Sequence, residues 1–404
     1  MEDKGGDKMG KRKNQNNRGD RVKVYYNSGR NFLEVPVHEG IEVIDYKPYP
    51  VKPVSVVENA FKELFPLVKG KNSVAVIVDD HTRPTPIKDI LPYLFNVLEV
   101  ARVKERRIIV AFGTHNHPEE EYLVEKLGSD VINNEIVILH DAFDKKLNVY
   151  AGTTSLGNRV YLNKWAVNAD FKMGIGSVFS SEIAGFTGGP KIVLPGIAAD
   201  ETIEYNHAYF SHKDIKAGFY EGNPIPRDMA EAARLLPIDW ILDLVMTPDG
   251  IIDIFYGDFE EFHPKARALV REIYTVKVKK TRRLLIGCGM TEDVDFVQTV
   301  KALFVANEFC ELGGEIFLVA WCPLGLNWEE LVDTVHGGKV EEFALAVYRR
   351  LKPLFTGDKR VYMFTKEENF PWVKEIGFKP VSKLNSDFLS EGGIVLPNGA
   401  LLIV

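Results

Sequence analysis

Residues Lys172–His207 read KMGIGSVFSSEIAGFTGGPKIVLPGIAADETIEYNH. Ile175–Phe179 has the apolar character of a strand end buried in a sheet. It leads into Ala184-Gly185-Phe186-Thr187-Gly188-Gly189. Glycines there let the backbone come close to a ligand and turn its N–H groups on an anion. Lys191 stands just beyond the last glycine, and His207 follows 16 residues later. After the turn Pro195-Gly196, Asp200 is placed to cap a helix, with Glu201 and Glu204 in its first turn and His207 on its body. On residue chemistry alone this is a phosphate-and-cation pocket with a metal-capable imidazole. Its spacing fits neither a Walker loop nor a dinucleotide fingerprint. The plainer alternative is a glycine-rich turn with a solvated lysine and a histidine on a helix surface.

The same strand-then-polar-loop pattern occurs twice upstream. Val74–Val78 is a continuous apolar run, as a parallel sheet buries on both faces, and it ends in DDHTRPTP (79–86). Ile108–Phe112 is a second such run, ending in GTHNHP (113–118). Helical patterns follow each, over 87–100 and 119–127. Consecutive strand–loop–helix units predict an α/β sheet whose ligands sit at the carboxyl ends of the strands, where Asp80, Arg83 and His115 fall. A guanidinium in the proline-stiffened loop can take a carboxylate or phosphate two-pronged, or Asp80 and Arg83 can pair to close the turn. His115 suits proton transfer or metal binding; His117 reads as structural. Lys191 can serve as a phosphate clamp, an amine nucleophile or a covalent cofactor anchor.

Downstream, helices are predicted over 227–236 and 259–276, and a β pair over 240–245 and 251–256 around Pro248-Asp249-Gly250. The run KVKK (277–280) marks a boundary. A second α/β unit follows, with strands at 283–286, 315–320, 361–365 and 393–404, and helices at 296–311, 328–335 and 340–351. Gln298 and Lys301 share a helix face and can reach a cleft between the units. The predicted organisation is therefore α/β in two domains. Each has a mostly parallel or mixed sheet flanked by helices, with the active site in the cleft between them. A disordered basic tail is expected over 1–22, a first domain over 23–276 and a second over 282–404.

The 404 residues carry a net charge of −7, which argues against nucleic-acid binding through the whole surface. No apolar run reaches the about 18 residues of a membrane span. No signal peptide is visible, and a cytoplasmic location is expected. Cys288, Cys310 and Cys322 are too few and too irregularly spaced for a disulfide framework or a zinc site, and are expected as buried thiols.

Taken together, DDHTRPTP, GTHNHP, AGFTGGPK (184–191), TIEYNH (202–207), NPIPRDMAEAA (223–233), YGDFEEFH (256–263) and QTVK (298–301) form a specific set. With them the chain resembles the nickel-pincer lactate racemase family of 2-hydroxyacid racemases and epimerases, from about Asp79 to Ala302. The resemblance implies a pyridinium mononucleotide with two sulfur arms that hold nickel. Lys191 would carry it through a thioamide, with Gly185, Thr187, Gly188 and Gly189 around it and His207 as the protein ligand to nickel. His115 would move the substrate's hydroxyl proton, and Asp80, Arg83, Gln298 and Lys301 would line the pocket. A 2-hydroxy acid would be the substrate and cofactor-synthesis enzymes the partners in maturation; the oligomeric state stays open. The family's second catalytic histidine lies ten residues before the anchoring lysine, and here that position is Ser181. A hydroxyl cannot carry a proton near neutral pH as imidazole does. Glu182 or a residue of the second domain could replace it. The alternatives are another hydride-transfer reaction, or an inactive homologue that binds the cofactor or an organic acid. A cofactor-free phosphate-binding enzyme is a third reading.

Overall fold

A computed structural model of the chain describes residues 21–212, 215–338, 342–385 and 387–404. Most of the expected basic tail lies outside these residues; its last two, Arg21 and Val22, open the first strand. Strands β1 (Arg21–Tyr26) and β2 (Asn31–Pro36) pair antiparallel, and β3 (Ile41–Val43) follows. Then come β4 (Ser73–Asp79), β5 (Glu105–Ala111), β6 (Ile136–Leu139), the β7–β8 hairpin (Asn148–Thr153, Arg159–Asn163) and β9 (Phe171–Val178). The two-residue strands β10 (Ser180–Ser181) and β11 (Gly185–Phe186) pair antiparallel, and β12 (Trp240–Thr247) and β13 (Gly250–Gly257) close the first half. The second half adds β14 (Thr281–Gly287), β15 (Cys310–Val319), β16 (Arg360–Phe364), β17 (Lys379–Val381) and β18 (Gly393–Leu396).

Two six-stranded sheets result. The first has the order β13-β12-β9-β4-β5-β6 and is parallel except for β13. From β4 the chain steps one way to β5 and β6, then returns to the other side for β9 and β12. The point where strand order reverses therefore lies between β4 and β9, and their carboxyl ends leave a crevice there. Val74–Val78 is fully buried, as an internal strand covered on both faces requires. The helices Val57–Val68 and Ile87–Val100 pack together, while Phe259–Tyr274 packs against β9, β12 and β13. The second sheet, β17-β16-β15-β14-β18-β3, is parallel throughout, with the helix Phe296–Phe309 on β14 and β15.

A single boundary near residue 280 does not describe these sheets. β3 is the edge strand of the second sheet, and the β1–β2 hairpin packs on it, with Val24 and Val35 fully buried among Leu285, Phe317, Val319 and Val395. The partners of this segment lie hundreds of residues away, where no local pattern points to them. The far end crosses back the other way. The strand expected over 393–404 stops at Leu396, and Ile403 bonds to the first half through Tyr274 O (2.9 Å) and Val276 N (3.0 Å).

Local signals set other element ends. The helix expected from residue 227 starts at Pro224, because Asn223 accepts from Ile225 N (3.0 Å) and proline is preformed for the first turn. Asp200 lies inside its helix, Asp200–His207, and the N-cap is Ala199. The helix expected to Glu311 ends at Phe309, where Cys310 begins β15. Cys288, Cys310 and Cys322 are buried free thiols. Among the described residues, no helix is long and apolar enough to cross a membrane.

Asp293 fastens the N-terminal hairpin. Its carboxylate accepts from Asn27 N (2.6 Å), Ser28 N (2.8 Å) and Trp321 N (3.1 Å), all from positions where side-chain chemistry is irrelevant. Asp293→Ala leaves these amides without a partner and is expected to cost at least about 2 kcal/mol in urea unfolding. It should also speed amide hydrogen exchange in β1 before the first sheet is affected.

Candidate active site

One cavity of about 640 Å³ opens between the halves, at the crevice of the first sheet. Asp80, Arg83, His115, Ser181, Thr187, Gly188, Lys191 and His207 line it from the first half, and Gln298 and Lys301 from the second. The structure thus brings together all the expected polar site residues. Gly185 and Gly189 do not line it.

The loop after β4 is built around Asp80. Its Oδ1 accepts from Thr82 N (3.0 Å) and Thr82 Oγ1 (2.6 Å), and its Oδ2 meets His115 Nδ1 at 2.6 Å. Asp80 therefore orients a histidine rather than pairing with Arg83. Burial alone would raise its carboxyl pKa, but the charge and hydrogen bond of His115, with His81 and Arg83, hold it well below the ordinary value. This contact fixes the proton on Nδ1 and leaves Nε2 of His115 as the basic nitrogen. His117 is structural, with Nε2 2.9 Å from His140 O and its ring against Phe112.

Arg83 reaches the other half, where its Nη1 donates to Gln298 Oε1 (3.0 Å). Lys301 Nζ donates to the same oxygen (2.9 Å) and to Glu292 Oε2 (2.5 Å). One neutral oxygen thus spaces two cations, one from each half. Lys126, which the sequence reading passed over, stiffens the loop from beneath. Its Nζ donates to Arg83 O (2.9 Å) and Thr85 O (3.1 Å) and pairs with Asp79 Oδ1 (2.6 Å). In EEYLVEKL it looks like any helix-surface lysine.

Lys191 sits on a 3₁₀ turn, Gly189–Ile192. Its Nζ lies 3.4 Å from Ser181 Oγ. Burial, then the charges of Arg83 and Lys301, push this amine well below the usual lysine range, against Glu292 and Asp80. A lowered pKa favours the neutral form of the amine, which is the nucleophilic one. His207 ends its helix one turn after Ile203, whose backbone hydrogen-bonds its ring, and Phe343 lies at the ring edge, 6.0 Å between centroids. Burial first, then Lys191, lowers this imidazole to about 4, so it is a neutral donor at pH 7.

The glycine-rich loop differs from expectation in where its N–H groups point. Gly189 N donates to Asp243 Oδ2 (2.5 Å) and Thr187 N to Phe179 O (2.9 Å). The anion met by Gly189 is the protein's own carboxylate. Glycine is required at 188, at φ +74°, because a Cβ would come within 2.6 Å of Asp243 Oδ2 and 2.7 Å of Val178. At Gly185, φ +75°, a Cβ would meet Phe219 O at 2.2 Å, so this residue packs the hairpin against the following loop.

Asp243 was not singled out from the sequence, although a carboxylate inside WILDLV is itself a signal. Burial raises it to about 7, with Asp79 adding to the shift and Gly189 N–H opposing it. Between about 3.8 and 7 the folded state holds a proton that the unfolded chain has released, so stability falls as pH rises through that window. Asp243→Asn should remove this slope. The variant should gain roughly 2–3 kcal/mol on the wild type between pH 5 and pH 8, measured by urea unfolding at both.

The chain is similar to known proteins over most of its length. Residues 26–218 match the lactate racemase N-terminal domain. The lactate racemase of Thermoanaerobacterium thermosaccharolyticum is 29% identical over 373 residues, covering 85% of this chain and 87% of that protein. The lactate racemase of Lactiplantibacillus plantarum is 35% identical over 259 residues, or 63% of this chain and 61% of that one. The solved lactate racemase apoprotein of T. thermosaccharolyticum superposes with a TM-score of 0.81 at 27% identity, covering 95% of this chain and 99% of that structure. A Thermotoga maritima protein shares the fold, with a TM-score of 0.69 at 18% identity over 88% of this chain and 99% of its own. On sequence and fold together, the chain is similar to lactate racemases over most of its length, and its residues 26–218 match their N-terminal domain.

Proposed function

We propose that the chain is an isomerase, a racemase or epimerase of a 2-hydroxy acid that works with nickel held by a pincer-type pyridinium mononucleotide on Lys191. One observation carries the reading: the Lys191 amine and the His207 imidazole line the same cavity. A neutral amine can be acylated by such a group, and a neutral imidazole beside sulfur donors suits nickel. From the glycine-rich loop, Thr187 and Gly188 line the same cavity. When bound, the group supplies an acceptor that takes the substrate's C2 hydrogen with its electron pair and gives it back.

The chain's own residues do the rest. Arg83 and Lys301 are spaced by Gln298 to take the substrate carboxylate. His115, held by Asp80, accepts the C2 hydroxyl proton on Nε2 and returns it. The cleft position lets the two halves exclude water around the substrate.

Protein made alongside the cofactor-synthesis enzymes is expected to carry a mass adduct on Lys191 and one nickel per chain. It should also scramble the configuration of a C2-deuterated 2-hydroxy acid while retaining the deuterium. An unmodified Lys191 under those conditions overturns the proposal. An adduct without turnover on any member of a hydroxy-acid library would favour a binding protein instead. His207→Ala is expected to lose nickel, by elemental analysis, while keeping the Lys191 adduct and unfolding within about 1 kcal/mol of wild type, since its imidazole adds little to the core.

A further inference from the structure

The site holds one oriented histidine, His115, yet a racemase must exchange the hydroxyl proton with both enantiomers. Ser181 stands where a second histidine would serve. Its hydroxyl is taken up locally, against Lys191 Nζ at 3.4 Å and as acceptor from Ala184 N at 3.3 Å. The next residue is different. Glu182, in the turn between β10 and β11, lines the cavity beside Ser181 and Lys191. Its Oε2 accepts from Ala217 N (3.3 Å), and among the described residues it forms no ion pair.

The charged groups facing it come from three elements: Arg350 on the helix Glu342–Phe355, Lys301 on Phe296–Phe309, and Lys216 on the loop that holds it. The first two are committed elsewhere. Arg350 donates to the carbonyls of Phe210 (2.8 Å), His212 (2.6 Å) and Ile215 (2.6 Å), and Lys301 donates to Glu292 and Gln298. Arg350 therefore braces the segment whose Ala217 amide positions Glu182, without neutralising the carboxylate. His115 has its own oriented partner, Asp80.

We propose that Glu182 is the second proton-transfer residue, exchanging the C2 hydroxyl proton of the enantiomer that His115 does not serve. This rests on the function proposed above. The step balances. As the C2–H bond breaks and its electron pair passes to the bound pyridinium hydride acceptor, the O–H electrons form the C=O bond and the proton goes to the Glu182 carboxylate. In the return direction the hydride, with its electron pair, would pass from the acceptor back to C2 of the keto acid, the C=O π electrons would move to oxygen, and His115 would give that oxygen its proton. Over a full cycle, water exchange with both groups leaves no net gain of protons or electrons. Burial raises the Glu182 carboxyl to about 7, against Ala217 N–H and the cations, and a group poised there can act as acid or base.

The test uses the holoenzyme and Glu182→Gln, with the Lys191 adduct and thermal midpoint as controls for loading and fold. Net racemisation should fall roughly 100-fold. In single turnovers, 2-keto acid should still form from one enantiomer at near wild-type rate and be lost from the other, and His115→Asn should show the reverse preference. Glu182→Asp should recover part of the activity, and adding Ser181→His to Glu182→Gln should restore at least tenfold. In protein lacking the cofactor and carrying Lys191→Met, so that no amine there can condense with the ketone or take up its proton, binding of pyruvate at pH 8 should take up a proton, read from the buffer dependence of the calorimetric heat, and adding Glu182→Gln should reduce that uptake. Loaded Glu182→Gln that racemises within threefold of wild type, or loses both half-reactions equally, overturns the proposal. So does unchanged proton uptake in the cofactor-free variant. Failure of the loaded wild type on every hydroxy acid overturns the function proposed above instead, and the calorimetric arm still decides whether Glu182 meets the ligand.

Discussion

A single amide oxygen sets the terms of this site. Gln298 Oε1 accepts from Arg83 in one half and from Lys301 in the other, so two positive charges are held near each other and near Lys191. Three cations in one enclosed space repel. The effect shows on the two amines. Lys191 and Lys301 are both pushed below the ordinary lysine range, by burial first and by their neighbours next. Lys301 is relieved by Glu292, whereas the nearest hydrogen-bonding group to the Lys191 amine is a serine hydroxyl. The same arrangement that would attract a carboxylate thus also leaves one amine ready to react.

The sheet explains why these groups meet at all. Asp80 and Arg83 follow β4, His115 follows β5, and Ser181, Glu182 and Lys191 follow β9. β4 and β9 are neighbours that the chain reaches from opposite directions, so their loops splay apart and leave room between them. Beneath that room lies a buried polar layer. Asp79, Thr85, Ser177 and Lys126 bond one another, and Asp243 takes the Gly189 amide. That layer is costly to bury. It fixes the loops above it, and Asp79, Ser177 and Asp243 of the layer also line the cavity.

Much of this was legible in the sequence. Apolar runs such as Val74–Val78 announce internal strands, and the polar residues that end them must lie at a sheet's carboxyl edge. What escaped was information that no local pattern holds. Ile41–Val43 shows a strand but not that its neighbour is Gly393–Leu396, some 350 residues later. Lys126 looks solvent-facing until the loop it supports is folded over it. The glycines at 185, 188 and 189 advertise close approach, but only the fold shows that the approaching groups are Phe219, Asp243 and His263. Here a glycine-rich turn serves packing of the protein on itself.

The crossing of the chain between its halves has a consequence for how the molecule holds together. The polypeptide enters through the second sheet, builds the first, returns to finish the second, and ends hydrogen-bonded to the first at Ile403. Neither lobe is a contiguous segment that could be cut free and keep its edge strand. Opening the cleft is therefore limited to flexing of laced lobes, and melting one should drag the other with it as a single cooperative unit.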